Sequence, residues 1–192
     1  MTEDCKDCVD IKLLILDIDG VLTNGTKVYD KEHNVLSKSF MCKDFTAIKR
    51  FIAAGIKVVL ISGDSWNREM ARKRNLDFYC TRDVGTLNLD KSLLLDEFKE
   101  RYKVELDQMV FVGDDFFDLS MFLKLKNTVA TADAPGIIRH HCKYHIGLRG
   151  GEGCIVALYD LALTLGWINL PEPSMEQVLE LDRLEQTSQE MK

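Results

Sequence analysis

This sequence has no apolar run approaching the roughly 18 residues that a membrane span needs, so no membrane-crossing segment is expected. Its polar opening, Met1 to Ile11, lacks the charged-then-apolar pattern of a secretory signal, and a cytoplasmic location is the expectation. Positive charge is not in surplus either: 25 Lys and Arg stand against 31 Asp and Glu, which argues against a broad nucleic-acid footprint. The six cysteines (Cys5, Cys8, Cys42, Cys80, Cys142 and Cys154) are scattered without the pattern of a disulfide framework. Cys5-x-x-Cys8 has no second pair with which to hold zinc, and it precedes the first strand instead of opening a helix. Reduced thiols are the simpler reading. No internal repeat is visible. What remains is an ordinary globular composition, 46% hydrophobic and 29% charged, over 192 residues, which is long enough to bury a core.

The chain is organised around Lys12 to Gly20, KLLILDIDG. Leu13, Leu14, Ile15 and Leu16 run straight into Asp17, and such a short apolar run suits a strand buried on both faces of a parallel sheet. The pattern recurs at Ile56 to Ile61, ending in Ser62-Gly63-Asp64-Ser65, and at Met109 to Val112, ending in Gly113-Asp114-Asp115. Shorter strands are expected at Phe78 to Cys80, Thr128 to Thr131 and Tyr144 to Ile146. Helices are expected at Phe45 to Ala54, with Asp44 as N-cap and Gly55 as stop, and at Trp66 to Asn75. Leu89 to Tyr102 reads as an amphipathic helix with Leu93, Leu94, Phe98 and Tyr102 inward and Lys91 in its first turn. Further helices fall at Asp115 to Leu123, near Gly136 to His141, and at Cys154 to Leu165. Thr26 to Tyr29 and Val35 to Met41 read as a small hairpin, too short to be a cap domain.

Strands alternating with helices predict an α/β fold, a doubly wound (Rossmann-like) parallel sheet with a small β-hairpin insertion and no cap domain. The domain is placed at 1–170, with the hairpin at about 25–42, and a helical extension at 171–192. In that extension Ser174 to Gln186 carries Met175, Val178, Leu181 and Leu184 at helical spacing, a stripe expected to pack on a neighbour.

Three buried strands therefore end in polar groups: Asp17 and Asp19, then Ser62, then Asp114 and Asp115. In a doubly wound sheet these ends lie side by side, where such folds place their ligands. An Asp- and Gly-rich surface turn would look similar at any one of them, but the ordered set says more. Two carboxylates leaving one strand repel each other, and a bound cation relieves that repulsion. Three carboxylates suit an oxygen-liganded Mg²⁺ that keeps waters and leaves room for a phosphate. Ser62 and Lys91 supply a hydroxyl and a compact cation for the remaining phosphoryl oxygens. A carboxylate with no His or Cys nearby can itself be the nucleophile.

Asp17-x-Asp19-Gly20-Val21-Leu22-Thr23, Ser62-Gly63, Lys91 and Gly113-Asp114-Asp115-x-x-Asp118 resemble, in order, the four motifs of the haloacid dehalogenase superfamily. The likeness runs from about Leu13 to Leu163. Within the superfamily, DIDGVLTNG, the hairpin, KDFTAIKRF and the RGGEG loop are similar to the capless branch of 3-deoxy-D-manno-octulosonate 8-phosphate and nonulosonate 9-phosphate phosphatases. The resemblance implies a Mg²⁺-dependent phosphomonoesterase that works through an aspartyl-phosphate on a phosphorylated 2-keto-3-deoxy sugar acid. It makes Asp17 the nucleophile and Asp19 the general acid, later the base that activates water. Asp17, Asp114 and the Asp19 backbone carbonyl would hold the ion, with Asp115 and Asp118 orienting its waters and Lys91. Ser62, Gly63 and Lys91 would bind the phosphoryl group, and Lys43 and Arg149 would reach the substrate. It further implies a homotetramer assembled through the hairpin, with a neighbouring subunit helping to close each site.

Two departures stand out. Lys43-Asp44-Phe45 replaces the branch's Arg-Asp-Gly, exchanging a fork-shaped carboxylate binder for a point charge. Gly63-Asp64 replaces Gly-Arg, removing a cation from the pocket mouth. Gly150-Gly151-Glu152-Gly153 reads either as a connector or as a flap over the site. Two other classes use similar residues. A phospho-signalling receiver domain puts its acidic pair on the first strand and its phosphorylated Asp on the third, the reverse of the order here. A non-catalytic relative used for assembly would not need Asp17, Asp19, Ser62, Lys91 and Asp114 intact.

Overall fold

A computed structural model of the chain describes residues 10–83 and 90–190. The Cys5–Cys8 pair and the expected helix start at Leu89 lie outside the described residues. Strand β1 (Leu13–Asp17) is buried at every position and sits inside a six-stranded parallel sheet. On one side it pairs with β4 (Lys57–Ser62), which pairs with β5 (Asp77–Cys80). On the other side lies β6 (Met109–Gly113), followed by β7 (Asn127–Ala130) and β8 (Tyr144–His145). The chain thus winds outward one way from β1 and then returns to β1's other edge through β6. The crevice at such a reversal, outside the carboxyl ends of the strands, is the natural ligand site of an open α/β sheet.

Alternation along the strands divides the core in two. Leu14, Leu16, Val58, Leu60, Val110 and Val112 face one layer, where α1 (Cys42–Ala53) and α6 (Cys154–Thr164) contribute Phe45, Ile48, Phe51, Ile155, Leu158 and Tyr159. Leu13, Ile15, Val59, Ile61 and Phe111 face the other, beneath α3 (Leu95–Tyr102), α4 (Leu119–Lys124) and α5 (Gly136–His141). Both faces of β1 are therefore dry, which is why its apolar run does not alternate. The hairpin is shorter than expected, β2 (Val28–Tyr29) with β3 (Val35–Ser37), and the chain leaves it before Lys38.

Several expected boundaries shift for identifiable reasons. Asp44 does not cap α1, which begins at Cys42 after Met41. Its buried carboxylate instead reaches across to α6, where Oδ1 accepts the backbone N–H groups of Ile155 at 2.9 Å and Val156 at 3.1 Å. α6 opens on Gly153, which has no side chain to satisfy those first donors, so α1 supplies the cap. Burial raises the Asp44 pKa, offset in part by those two N–H groups.

The helix expected to end at Tyr102 is split into a 3₁₀ turn, Lys91–Leu94, and α3. The tighter turn rotates Leu93 outward, to 55% exposure, against the expectation that it faces inward. The helix expected at Asp115 to Leu123 is likewise a 3₁₀ turn, Phe116–Asp118, followed by α4. In the terminal α7 (Met175–Glu190) the expected apolar stripe docks in part, with Val178 and Leu181 half-buried. Met175 and Leu184 are exposed, whereas Glu185 is buried and paired with Lys49 at 2.7 Å and Arg74 at 3.0 Å; Lys49 also pairs with Asp182.

Candidate active site

The site begins where β1 stops. After Asp17 the chain winds tightly, with the Ile18 carbonyl accepting from the N–H groups of Val21 (3.3 Å), Leu22 (3.0 Å) and Thr23 (3.0 Å). Ile18 is buried in the core, so Asp17 and Asp19, on either side of it, leave the strand together. Gly20 follows with φ of 103°, and a Cβ there would lie 1.9 Å from Asp114 Oδ2. The absent side chain is thus what lets the end of β6 bring Asp114 against the end of β1.

Lys91 enters from its 3₁₀ turn, buried, and donates to Asp17 Oδ1 at 2.7 Å and Asp118 Oδ1 at 2.6 Å. Burial alone would lower its pKa, but the Asp118 and Asp17 carboxylates outweigh burial and push it up. Asp118 Oδ2 accepts the backbone N–H groups of Asp114 (2.9 Å) and Asp115 (3.1 Å), so this carboxylate is spent on holding Lys91 and the loop. Asp115 begins the 3₁₀ turn with its side chain exposed. Desolvation raises the pKa of Asp17, against the pull of Lys91, and raises Asp114 further with the help of the Asp17 and Asp118 charges.

On the other flank a second cluster holds Asp19. Ser62, at the end of β4, offers its hydroxyl at 3.3 Å from Asp19 Oδ2, and Asn67, which opens α2 (Asn67–Lys73), donates to the same oxygen at 3.0 Å. Lys38, arriving from the hairpin with a fully buried side chain, lies 2.7 Å from Asp19 Oδ1 and 2.9 Å from Asp19 Oδ2. It also reaches Asn67 Oδ1 and Asp64 Oδ2, each at 2.9 Å. Lys27 meets the same Asp64 oxygen at 2.7 Å. Burial works against the Asp64 charge, yet hydrogen bonds from Lys27 and Lys38 hold its pKa down, to about 2. The aspartate that stands where a cation was expected is therefore a counter-ion for two hairpin lysines. Lys38, Lys27 and Asn67 escaped the sequence reading, since nothing local marks a lysine after a short strand as one that reaches a residue 19 positions earlier.

The structure gathers Asp17, Asp19, Ser62, Lys91, Asp114 and Asp118 at one crevice, with Gly63 beside it. The other two sequence candidates are solvent-exposed, and Arg149 directly precedes the Gly150 that packs on Gly20. Lys43 is exposed on the first turn of α1. Arg149 is exposed and lies 3.8 Å from Asp133. The loop after Arg149 is a fixed wall: Gly151 N–H donates to the Val21 carbonyl at 3.0 Å, and a Cβ at Gly150 would sit 2.0 Å from the Gly20 carbonyl oxygen. Its glycines are needed for close approach, which favours the connector reading over a flap.

A divalent cation fits this centre. Among the described residues Asp17, Asp114 and Asp118 each place a carboxylate oxygen within 4.8 Å of the others'. Asp118 is already engaged at both oxygens, while Asp114 Oδ1 is buried with no hydrogen-bond partner. A buried, unpartnered carboxylate oxygen beside a second carboxylate calls for a positive ligand. All-oxygen donors suit a hard cation.

Known proteins share this sequence pattern and fold. Residues 77–154 match the haloacid dehalogenase-like hydrolase family. The 3-deoxy-D-manno-octulosonate 8-phosphate phosphatase of Haemophilus influenzae is 30% identical over 158 residues, covering 80% of this chain and 83% of that one. Among solved structures, a haloacid dehalogenase superfamily hydrolase of subfamily III A from Legionella pneumophila superposes with a TM-score of 0.75 at 25% identity, covering 92% of each chain. The cobalt-bound octulosonate phosphatase of Haemophilus influenzae superposes with a TM-score of 0.74 at 28% identity, covering 83% of this chain and 91% of that one. The chain belongs to the haloacid dehalogenase-like hydrolase family, as a phosphoric monoester hydrolase.

Proposed function

We propose that the protein removes the terminal phosphate from a phosphorylated 2-keto-3-deoxy sugar acid, of the octulosonate 8-phosphate or nonulosonate 9-phosphate type, with Mg²⁺ bound. The observation that carries the chemistry is the meeting of Asp17 and Asp114 oxygens beside Lys91, with one Asp114 oxygen buried and unpartnered. The substrate class rests on the octulosonate phosphatases to which this chain is similar.

In this reading Asp17, Asp114 and the Asp19 backbone carbonyl would hold the ion, whose charge would screen the phosphate from the surrounding carboxylates. Lys91, fixed by Asp118, and Ser62, with the backbone at Gly63, bind the phosphoryl oxygens; Asp115 shapes the turn that carries Asp118. An Asp17 oxygen attacks phosphorus, forming an aspartyl-phosphate as the bond to the sugar oxygen breaks. Asp19 gives its proton to that oxygen. It then takes a proton from water, whose oxygen attacks the same phosphorus, releasing phosphate and restoring the Asp17 carboxylate. In this reading the catalytic domain is assigned to 1–170 and the helical extension to 171–192, a division supported by the ion pairs of α7 with Lys49 and Arg74. The exposed hairpin, with Val28, Tyr29 and Leu36 outward, supports a homotetramer. Free Cys42, Cys80, Cys142 and Cys154 suit the reducing cytoplasm.

The test is phosphate release from such a sugar acid phosphate. Wild type should turn over only with a divalent cation, and Asp17→Asn should lose about 10³-fold or more in kcat. Full activity in Asp17→Asn would remove the nucleophile and the reading with it.

A further inference from the structure

The geometry points to Arg82 as the residue that binds the substrate's carboxylate, an inference that rests on the sugar-acid reading above. Arg82 leaves the end of β5 and lies across the crevice mouth. On one side it packs on the phosphate-binding loop, where a Cβ on Gly63 would meet its Nε at 3.0 Å and Cζ at 3.3 Å. On the other its guanidinium sits 5.6 Å from the Phe117 ring centroid, in the loop that carries Asp114 and Asp118. One side chain thus touches the loops after β4 and β6, which flank the β1 end where Asp17 and Asp19 stand.

Its neighbours in the chain fix the position. Thr81 is buried and its N–H donates to the Ser62 carbonyl at 3.0 Å, extending the pairing of β4 and β5. Asp83 is ion-paired with Arg68 of α2. Arg82 is therefore presented from an anchored segment, with its own side chain exposed.

Three other cations at the crevice are committed. Lys91 is held by Asp17 and Asp118, Lys38 by Asp19 and Asp64, and Lys27 by Asp64. Arg82 has no carboxylate partner among the described residues. A planar guanidinium offers the two parallel donors that a carboxylate accepts, which a point-charge lysine does not. Asp64, moreover, cannot serve a second anion, being itself one. Arg82 restores the missing cation from a different strand.

The test compares wild type, Arg82→Ala and Arg82→Lys on two substrates, a phosphorylated 2-keto-3-deoxy sugar acid and p-nitrophenyl phosphate, which has no carboxylate. Arg82→Ala should raise KM for the sugar acid about tenfold or more, with kcat within about twofold and p-nitrophenyl phosphate kinetics unchanged. Arg82→Lys should recover only part of the loss. A thermal unfolding midpoint equal to wild type excludes a folding effect. Equal KM increases for both substrates would assign Arg82 to the phosphoryl group and overturn the inference; so would no change on either. Wild type that does not prefer the sugar acid would overturn the substrate reading and Arg82 together. A selective wild type matched by an equally selective Arg82→Ala would overturn Arg82 alone.

Discussion

At Gly20 two demands meet in one residue: a φ of 103° and a carboxylate where a Cβ would stand. Gly20→Ala should cost about 1–3 kcal/mol from backbone strain alone and displace Asp114, so that unfolding and divalent-ion affinity worsen together. Urea denaturation and metal titration of the variant check this, and a loss of stability with unchanged affinity would show that Asp114 does not depend on Gly20. Lys38 makes a second prediction. Its side chain is fully buried while its partners Asp19 and Asp64 keep 20% and 23% exposure. Lys38→Met should therefore cost about 3 kcal/mol, the low end for a broken buried pair. It should also cut kcat for p-nitrophenyl phosphate more than it changes KM, since it releases Asp19 while leaving Lys91 and Ser62 in place; steady-state kinetics of the folded variant decides. The carboxylates were legible in the sequence because each ends an apolar strand, and a sheet edge then brings them together. Lys38 and Arg82 were not, because their positions depend on the path of a hairpin and of the chain beyond β5, which no periodicity encodes.

At the scale of elements, the cap on α6 comes from α1. Asp44→Ala removes the acceptor of two buried N–H groups and should cost about 2 kcal/mol. Asp44→Asn, which keeps an acceptor and avoids burying a charge, should cost less. Equal losses in urea denaturation would mean that Asp44 contributes packing and not the cap. The sequence marked Asp44 as an N-cap and erred only about which helix it caps, since capping residues look alike whether the helix is their own or a neighbour's. α7 was legible only in part: Val178 and Leu181 of its stripe are half-buried, but the surfaces it meets on α1 and α2 also present Lys49 and Arg74, whose ion pairs with Glu185 no apolar spacing reports. The helices after Lys91 and Asp115 begin as 3₁₀ turns that carry Lys91 and Asp118 into the site, a detail that helical periodicity cannot report.

For the whole molecule, the doubly wound order was legible because buried parallel strands announce themselves as uninterrupted apolar runs. The order then assembles one acidic centre with a predictable response to pH. Asp17 and Asp114 hold protons more tightly when folded than when unfolded, so the native state binds more protons from about pH 4 upward. Stability of the metal-free protein should therefore fall as pH rises from about 5 to 8. Asp64, with its depressed pKa, acts the other way and loses its contribution only as pH falls toward about 2. Lys91, raised above the usual lysine value, keeps its contribution throughout this range. A divalent cation takes the place of the protons, so Mg²⁺ should raise the thermal midpoint more at pH 8 than at pH 5. A midpoint equally responsive at both would contradict the linkage.

The most direct measurement of the central claim, that β1 and β6 converge on one ion, is calorimetric titration of Mg²⁺ into wild type and Asp114→Asn at the same pH. The account predicts one site per chain in wild type and its loss in the variant, with the fold retained. Indistinguishable isotherms from the two proteins would contradict it.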